Sequence, residues 1–227
     1  MVEMNALIGE IITLTRQHDL WRKYHCINLI ASENVMSPKA EELYINDMMH
    51  RYAEGLPFKR YYQGHRYLDQ VEVKTQEMFS RLFDADLVDL RPLSGTIANL
   101  AVFVGLINDG DTIMALDVPH GAHVSHTIHG ALGLRRVKVI NVPFDNERMN
   151  VDVDKTMRLM EEHEPKMLIL GASLFLFPHP IKELAETARA CNTLIVYDAA
   201  HVLGLIAGKQ FQQPFKEGVD IVSGSTH

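Results

Sequence analysis

Several features that would assign this 227-residue chain to a special class of protein are scarce or missing. Its two cysteines, Cys26 and Cys191, are too few and too far apart to indicate a disulfide framework or a thiolate zinc site. The longest apolar runs, LAVFVGLI and KMLILGASLFLF, are shorter than the roughly 18 residues that a membrane-spanning helix needs. The first residues, MVEMNALIGE, lack the basic segment and apolar stretch of a secretory signal. We therefore expect a cytoplasmic protein with no membrane span.

An excess of basic residues is also missing. The chain carries 22 lysines and arginines against 29 aspartates and glutamates, which gives a formal net charge of -7. The basic residues are scattered and form no stripe, which argues against a nucleic-acid partner. The composition is otherwise ordinary, with 47% hydrophobic residues, and the length suffices for one large domain or one and a half.

The second half of the chain, from about residue 111, alternates short apolar runs with polar helical patterns. Two helices are predicted at Val153–His163 and Ile181–Ala190, the latter after Pro180. This alternation predicts a parallel sheet covered by helices, whose ligands bind at the carboxyl ends of the strands. The predicted strands are DTIMALDV, RRVKVINVPF, PKMLILGAS, NTLIVYDAA and VDIVSGS.

The first 75 or so residues have a different pattern, with helices on both sides of an irregular centre. Helical spacing predicts one helix over 4–18, and Ser37 followed by Pro38 predicts the start of another that runs to about residue 49. The centre, RYAEGLPFKRYYQG, is rich in tyrosines and charges, which fits a solvated loop, a site or an interface. We predict an amino-terminal arm with an interface loop over 1–75 and a ligand-binding domain over 76–227.

One strand pattern, NTLIVYDAAHVLGLIAG, places Asp198 at its carboxyl end and His201 three residues later. Burying a carboxylate is costly unless donors or a cation meet it, so Asp198 requires partners. It could cap the following turn. Alternatively, it could hold a protonated ring nitrogen, as an aspartate does in pyridoxal-phosphate enzymes.

A second pattern, RPLSGTIANLAVFVGLI, places Ser94, Gly95 and Thr96 at the start of an apolar helix. Amides and hydroxyls at the positive end of a helix dipole can hold a phosphate, although a Ser-Gly start can also be a simple cap. The spacing of a P-loop or of a dinucleotide-binding glycine motif is missing.

A third pattern, HGAHVSHTIH, contains four histidines at intervals of three residues. On a regular helix, neighbouring members of the series could share a metal ion. Two glycines weaken a helix there, and the run contains no carboxylate, so we favour one imidazole stacking on a flat cofactor with the others as ordinary polar residues. The histidines are His120, His123, His126 and His129.

Seven landmarks, taken in order, resemble serine hydroxymethyltransferase, a pyridoxal-phosphate enzyme of the aspartate aminotransferase fold. The resemblance implies an α/β fold with a mostly parallel, helix-covered sheet, a helical amino-terminal arm, and no small carboxyl-terminal domain in this chain. The landmarks are NLIASEN at 28–34, YAEG and KRYYQG within 52–64, SGTIAN at 94–99, GAHVSH at 121–126, GAS at 171–173, DAAHVLGLIAG at 198–208 and GSTH at 224–227.

The resemblance also implies roles for the residues at matching positions. His123 would stack on the cofactor ring, Asp198 would pair with the ring nitrogen, and both would act in catalysis. The complete set assigned to pyridoxal phosphate is Ser94, Gly95 and Thr96 at the phosphate, His123, Asp198, Ser173 and His201 around the ring, and Tyr52 and His227 in addition.

Substrate contacts are implied in the same way. Ser32 would help to hold the carboxylate of serine or glycine, and Glu54 would handle a proton during catalysis, with His201 as a further catalytic group. In this family Tyr52, Glu54 and Tyr62 reach the site of the neighbouring subunit, so the resemblance implies a homodimer with shared sites.

The implied reaction interconverts serine and glycine and transfers a one-carbon unit to a tetrahydropterin. Ala122, Gln63 and the segment GASLFLFPHP depart from the common family pattern, which leaves the carrier open between tetrahydrofolate and a modified pterin of archaeal type. The alternatives are a threonine aldolase, an aminotransferase, or a catalytically silent fragment that acts only in dimerisation or binding. The family's cofactor-binding lysine would follow His227, so we expect the 1–227 chain alone to be inactive.

Overall fold

The computed structural model describes the backbone of residues 2–30 and 32–226, with side chains from residue 4 onward. The chain divides into two compact units on either side of residue 36. The first comprises residues 2–30 and 32–36, and the second comprises Ser37–Thr226. The boundary predicted near residue 75 remains a prediction; it falls inside a continuous helix, Arg66–Phe83.

The first unit is built on helix α1, Val2–Tyr24. The helix predicted over 4–18 is therefore confirmed and continues for more than a turn. Several of its large apolar side chains, among them Leu7, Ile11 and Trp21, are exposed. An ion pair between Arg22 and Glu33 joins the end of α1 to the segment that follows it.

The second unit contains the remaining regular elements. Its helices are α2 (Pro38–Tyr44), α3 (Arg66–Phe83), α4 (Gly95–Leu106), α5 (Val153–His163), α6 (Ile181–Ala190), α7 (Leu203–Ala207) and α8 (Pro214–Glu217). Its strands are β1 (Gly55–Leu56), β2 (Lys59–Arg60), β3 (Thr112–Ala115), β4 (Lys138–Asn141), β5 (Phe144–Asp145), β6 (Asn150–Val151), β7 (Met167–Gly171), β8 (Leu194–Asp198) and β9 (Ile221–Ser223).

The predicted parallel sheet is confirmed. Five strands pair in the order β4-β3-β7-β8-β9, and all four pairings are parallel. The register places Asp198 between Gly171 of β7 and Ser223 of β9. Parallel strands carry their carboxyl ends to the same edge, so this edge is where side chains from distant parts of the sequence meet.

The core lies on both faces of the sheet. Along β7 the side chains alternate, so that Leu168 and Leu170 pack with one cluster while Met167 and Ile169 pack with another that includes Phe103 of α4. Every residue of β7 is buried, which explains why its sequence is an uninterrupted apolar run and not an alternating one.

The helix predicted to run from Pro38 to about residue 49 is shorter than expected. Helix α2 ends at Tyr44, and Ile45 is extended. The Asn46 side chain then accepts a hydrogen bond from the amide of Met48 at 2.8 Å and starts a short 3-10 turn, Asp47–His50. A local side-chain bond to the backbone has therefore replaced the helix. Among the described residues, no helix is both long and apolar enough to cross a membrane.

A buried histidine links β7 to the segment that precedes α8. His179 is only 3% exposed, and its Nδ1 accepts a hydrogen bond from the amide of Gly171 at 3.0 Å. Gln212 donates to the carbonyl oxygen of His179, and the Tyr197 hydroxyl donates to Gln212 at 3.0 Å. Burial lowers the pKa of His179 to about 4, so the imidazole is neutral in the folded protein at neutral pH.

We expect this histidine to make folding stability depend on pH. Its folded pKa of about 4 lies below the ordinary 6.5, so the unfolded chain binds the proton first as pH falls. Stability from His179 is thus fully present above the ordinary pKa and decreases below it, by about 2 kcal/mol between about pH 7.5 and about pH 5. Urea unfolding of the unmutated chain and of His179→Asn at the two pH values measures it. Asparagine retains an acceptor for Gly171 but does not titrate, so an equal pH dependence in both chains would contradict this assignment.

Candidate active site

Asp198 is the centre of a buried polar cluster at the end of β8. Its side chain accepts three hydrogen bonds: Oδ2 from Asn99 Nδ2 at 2.7 Å and from His126 Nε2 at 2.8 Å, and Oδ1 from the amide of Ala200 at 2.9 Å. The residue is 4% exposed. Of the two interpretations of Asp198, the cap of the following turn is observed, because Oδ1 accepts from Ala200, whereas the pairing with a ring nitrogen remains a prediction.

The charge state of Asp198 follows from two opposing effects. Burial raises the pKa of a carboxyl, whereas the hydrogen bond and the electrostatic interaction with His126, followed by the bond from Asn99, lower it. The interactions with His126 and Asn99 outweigh burial, so the pKa of Asp198 lies below its ordinary value. The cluster therefore holds a carboxylate at neutral pH.

Asn99 connects three parts of the fold within this cluster. It lies on α4, and its Oδ1 accepts a hydrogen bond from Ser223 Oγ of β9 at 2.6 Å. Its Nδ2 donates to Asp198 and, at 3.1 Å, to Ser125 Oγ. An amide can serve as donor and acceptor at once, so one side chain fixes α4, β8 and β9 relative to each other.

His123 lies beside the cluster with its Nδ1 engaged. The amide of Ser125 donates to this nitrogen at 3.2 Å, and Ser125 Oγ lies 2.8 Å from it. Burial is the main cause that lowers the pKa of His123, and neighbouring His126 and His201 lower it further against the opposing effect of Asp198. The His123 ring is therefore a neutral, partly exposed imidazole at neutral pH.

The four histidines of the HGAHVSHTIH run do not act as a set. His120 stacks on Phe144 with ring centroids 4.6 Å apart, and His126 contacts Asp198. His120 and His126 lie in two separate 3-10 turns, Val118–His120 and Val124–His126, so they do not share the face of one regular helix. Over residues 2–30 and 32–226, no three histidine, cysteine, aspartate or glutamate side chains are placed to share a metal ion.

The predicted phosphate-binding residues lie at the start of α4. Ser94 is the N-cap: its Oγ accepts from the amide of Ile97 at 3.2 Å, and its carbonyl oxygen accepts from Ala98 at 2.9 Å. Within the part of the chain that the structure describes, no hydrogen bond uses the amides of Gly95 or Thr96, which are among the donors that the first turn of a helix leaves without a partner inside the helix.

The start of α4 also lies next to the Asp198 cluster. A Cβ atom on Gly95 would meet the side chain of Ala200 at 3.4 Å, so the helix begins in contact with the turn that follows Asp198. A cavity of about 440 Å³ lies to one side of this contact, lined by residues of α3, α7 and α8; Ser223 lines it, whereas Asp198 and His123 do not. Ser94, Ser225 and Thr226 form part of its wall.

The structure brings the predicted ring contacts toward His123. The amide of Ser173 donates to the carbonyl oxygen of Gly121 at 2.9 Å, which places the GAS segment against the histidine loop. Ser173 follows the carboxyl end of β7 by two residues, and His201 follows the carboxyl end of the neighbouring strand β8 by three. Ser173 and His201 therefore lie on the same side of the sheet edge as His123 and Asp198.

Tyr52, Glu54 and Tyr62 form a second group, on the loop between the 3-10 turn Asp47–His50 and α3. All three are exposed, and the rings of the two tyrosines lie 5.8 Å apart. Ser32 belongs to the first compact unit, so its role toward the substrate remains a prediction. His227 lies outside the described residues, and its contact with the cofactor remains a prediction too.

The sequence analysis did not identify four members of the Asp198 cluster, which are Asn99, His126, Ser125 and Ser223. The available signals were weak: Asn99 lies one helical turn after Gly95, and His126 follows His123 by three residues in a run that we expected to contribute one functional imidazole. Their partner Asp198 is far away in sequence, and local patterns carry no information about such contacts.

Replacing Asn99 tests how much the cluster depends on it. In Asn99→Leu, Asp198 loses one donor and Ser223 loses its acceptor, so we expect the free energy of unfolding to fall by about 3 kcal/mol. Asn141→Leu is the matched control: Asn141 is exposed, and the one side-chain hydrogen bond that it makes with described residues is a long one, of 3.5 Å, to Asp117. Urea unfolding at neutral pH measures both variants. Similar losses in the two variants would show that Asn99 is not the link described here.

Known proteins are similar in sequence to this chain over nearly its whole length. The sequence profile described as serine hydroxymethyltransferase matches residues 5–227. The chain is 53% identical over 220 residues to the serine hydroxymethyltransferase of Staphylothermus marinus, with 97% of this chain and 50% of that protein covered. Identity is 53% over 218 residues to the protein of that name from Thermococcus kodakarensis (96% and 50% covered) and 51% over 220 residues to that from Saccharolobus solfataricus (97% and 51% covered).

The chain thus spans about half the length of the curated relatives that it matches. Within that half, the profile match extends over nearly all of the chain, including the loop at 52–64, the start of α4 and the Asp198 cluster. The chain belongs to the serine hydroxymethyltransferase family.

Proposed function

We propose that the protein containing this chain interconverts serine and glycine with pyridoxal phosphate as cofactor and passes the one-carbon unit to a tetrahydropterin. The observation that carries the proposal is the Asp198 carboxylate, buried and kept ionised at the carboxyl end of β8 beside the start of α4. Family membership supports the same activity. Because the chain spans half of its relatives, the activity is proposed for the protein that contains the chain.

The residues present fit the cofactor. When bound, pyridoxal phosphate supplies a protonated pyridine ring that takes up the electron pair released when the bond between the α and β carbons of serine breaks. Asp198 would hold the proton on the ring nitrogen. Its Oδ1 accepts a single bond among those described, from Ala200, and a carboxylate oxygen can accept a second.

The cofactor phosphate would bind at the start of α4. The amides of Gly95 and Thr96 and the hydroxyl of Ser94 supply donors, and the positive end of the helix dipole favours an anion there. The neutral imidazole of His123 would supply a flat face for the ring. Ser173 and His201, on the same side of the sheet edge, would bond near the phenolic oxygen.

Glu54 would act as the group that moves a proton at the serine hydroxyl or at the departing one-carbon unit, while Ser32 would help to hold the substrate carboxylate. We propose further that Tyr52, Glu54 and Tyr62 serve the site of the second subunit of a homodimer. Exposed apolar side chains on α1 and exposed tyrosines in the loop support this arrangement, since large apolar surfaces mark interfaces. The pterin is tetrahydrofolate or a modified archaeal-type pterin, and the proposed location is the cytoplasm.

Asparagine at position 198 tests the cofactor role. A neutral amide cannot hold the ring proton, so in a chimera in which this chain replaces the matching half of the Staphylothermus marinus protein, Asp198→Asn should slow serine cleavage with tetrahydrofolate by at least about 100-fold. Asp109→Asn, at an exposed turn, is the control and should retain the unmutated rate. A near-normal rate in Asp198→Asn would contradict the proposed pairing of Asp198 with the ring nitrogen. Cleavage of threonine in preference to serine, independent of pterin, would instead indicate an aldolase.

Hybrid dimers test whether Glu54 works across the subunit boundary. Glu54→Gln alone should keep cofactor binding and slow turnover severely while leaving a measurable rate, because the amide accepts no proton. Mixing this variant with Asp198→Asn protomers of the same chimera should restore about a quarter of the unmutated rate, since half of the dimers are hybrids and each hybrid contains one intact site. Serine cleavage after unfolding and refolding the mixture measures it. If Glu54 serves its own subunit, the mixture recovers no activity.

A further inference from the structure

One buried guanidinium organises the loop that carries Glu54. The side chain of Arg60, at the end of β2, is 5% exposed. Its Nη1 donates to the carbonyl oxygens of Ala53 and Gly55, each at 2.7 Å. Its Nε donates to Asp69 Oδ1 at 2.7 Å, and its Nη2 pairs with Glu72. A single side chain thus joins the loop to α3.

These bonds lie on either side of Glu54. The carbonyl before Glu54 and the carbonyl after it are held by the same nitrogen of Arg60, and the carbonyl of Glu54 itself accepts from the amide of Tyr61 at 3.1 Å. Three consecutive peptide groups are therefore fixed. The Glu54 side chain, by contrast, is exposed. The backbone determines where its carboxyl group can reach.

Helix α3 supplies the other half of this arrangement. Asp69 and Glu72 are three residues apart and so lie on one face of the helix. Asp69 also accepts a hydrogen bond from the amide of Phe58 at 3.0 Å, and Phe58 adopts a left-handed backbone conformation with φ +61°. The same carboxylate thus holds both Arg60 and the tight turn between β1 and β2.

The hairpin leaves no room for a side chain at position 55. This glycine has φ +100°, and a Cβ atom there would lie 2.6 Å from the carbonyl oxygen of Lys59. Gly55 pairs with Arg60 across the two strands. The Arg60 side chain therefore donates to the carbonyl oxygen of Gly55, the residue that pairs with Arg60 in the hairpin.

From these contacts we infer that Arg60 is a positioning residue, which directs the carboxyl group of Glu54 for proton transfer through the peptide groups on both sides of it. The inference rests on the proposed role of Glu54. A guanidinium presents five N-H donors in a fixed plane and can bond two carbonyls and two carboxylates at once, whereas the ammonium of lysine has three donors on a flexible stem. An ion cluster of this kind adds little stability over apolar packing, so its specific contribution is geometry.

A double-mutant cycle in the chimera tests the inference. Arg60→Lys keeps the charge but loses the planar set of donors, so we expect kcat for serine cleavage to fall by at least about tenfold while KM for serine stays within about twofold. In the Glu54→Gln background, the same substitution should change kcat by less than about twofold, because Arg60 acts through Glu54. Arg148→Lys is the matched control, since the Arg148 side chain is 87% exposed; it should leave kcat unchanged.

Each outcome of the cycle separates this inference from the proposed function. A full tenfold effect of Arg60→Lys in both backgrounds means a general structural role and overturns the inference alone. An unchanged kcat in Arg60→Lys, with Glu54→Gln still impaired, also overturns it alone. An unchanged kcat in Glu54→Gln removes the proposed role of Glu54 and the inference with it.

A measurement on the 227-residue chain avoids dependence on the chimera. Hydrogen exchange at the amide of Tyr61, which donates to Glu54, should become at least about tenfold faster in Arg60→Lys, because the peptide groups next to Glu54 lose their anchor. Exchange at the amide of Gly171 in β7 is the internal reference and should not change. An unchanged rate at Tyr61 would overturn the inference even if the variant chimera does not fold.

Discussion

A buried negative charge at the end of β8 is the constraint on which the arrangement around the candidate site depends. A carboxylate that is 4% exposed is stable only where donors replace the water that it has lost. The donors to Asp198 come from α4, from the histidine loop and from its own following turn. Each of these segments must therefore approach the same point, and the parallel register of β7, β8 and β9 makes that point accessible.

The same constraint acts on the neighbours of Asp198 that make no hydrogen bond to its side chain. Gly171 has φ +79°, and a Cβ atom there would lie 2.1 Å from the carbonyl oxygen of Asp198, so any larger residue would push the two strand ends apart. The Gly171 amide in turn bonds to His179, a histidine that burial keeps neutral. The strand end next to the charged Asp198 is thus held on its other side by an uncharged histidine, His179.

The fold contains a second buried charge, and its environment differs in a way that matters for function. Arg60 is surrounded by two carboxylates and two carbonyl oxygens, which together engage all three nitrogens of the guanidinium. Asp198 is met by the side chains of Asn99 and His126 and by one amide, and one of its oxygens retains the capacity to accept a further bond. A charge whose nitrogens are all engaged fixes a loop, whereas a charge with a remaining acceptor can bind a ligand.

Local patterns in the sequence determined the parallel sheet, helices α5 and α6 at their observed bounds, and the importance of Asp198, because strand periodicity, helix periodicity and a charge at a strand end are all local signals. Even there, α2 ended earlier than predicted, and the Asn46 side chain accepts a hydrogen bond from the Met48 amide to start a separate 3-10 turn. Only the tertiary structure decided which groups neutralise the two buried charges. Asn99 and Asp198 are 99 residues apart, and the pairing depends on strand register and helix docking, which no local pattern encodes. The hydrogen bonds from Arg60 to the carbonyl oxygens on both sides of Glu54 likewise depend on how the hairpin folds back against α3.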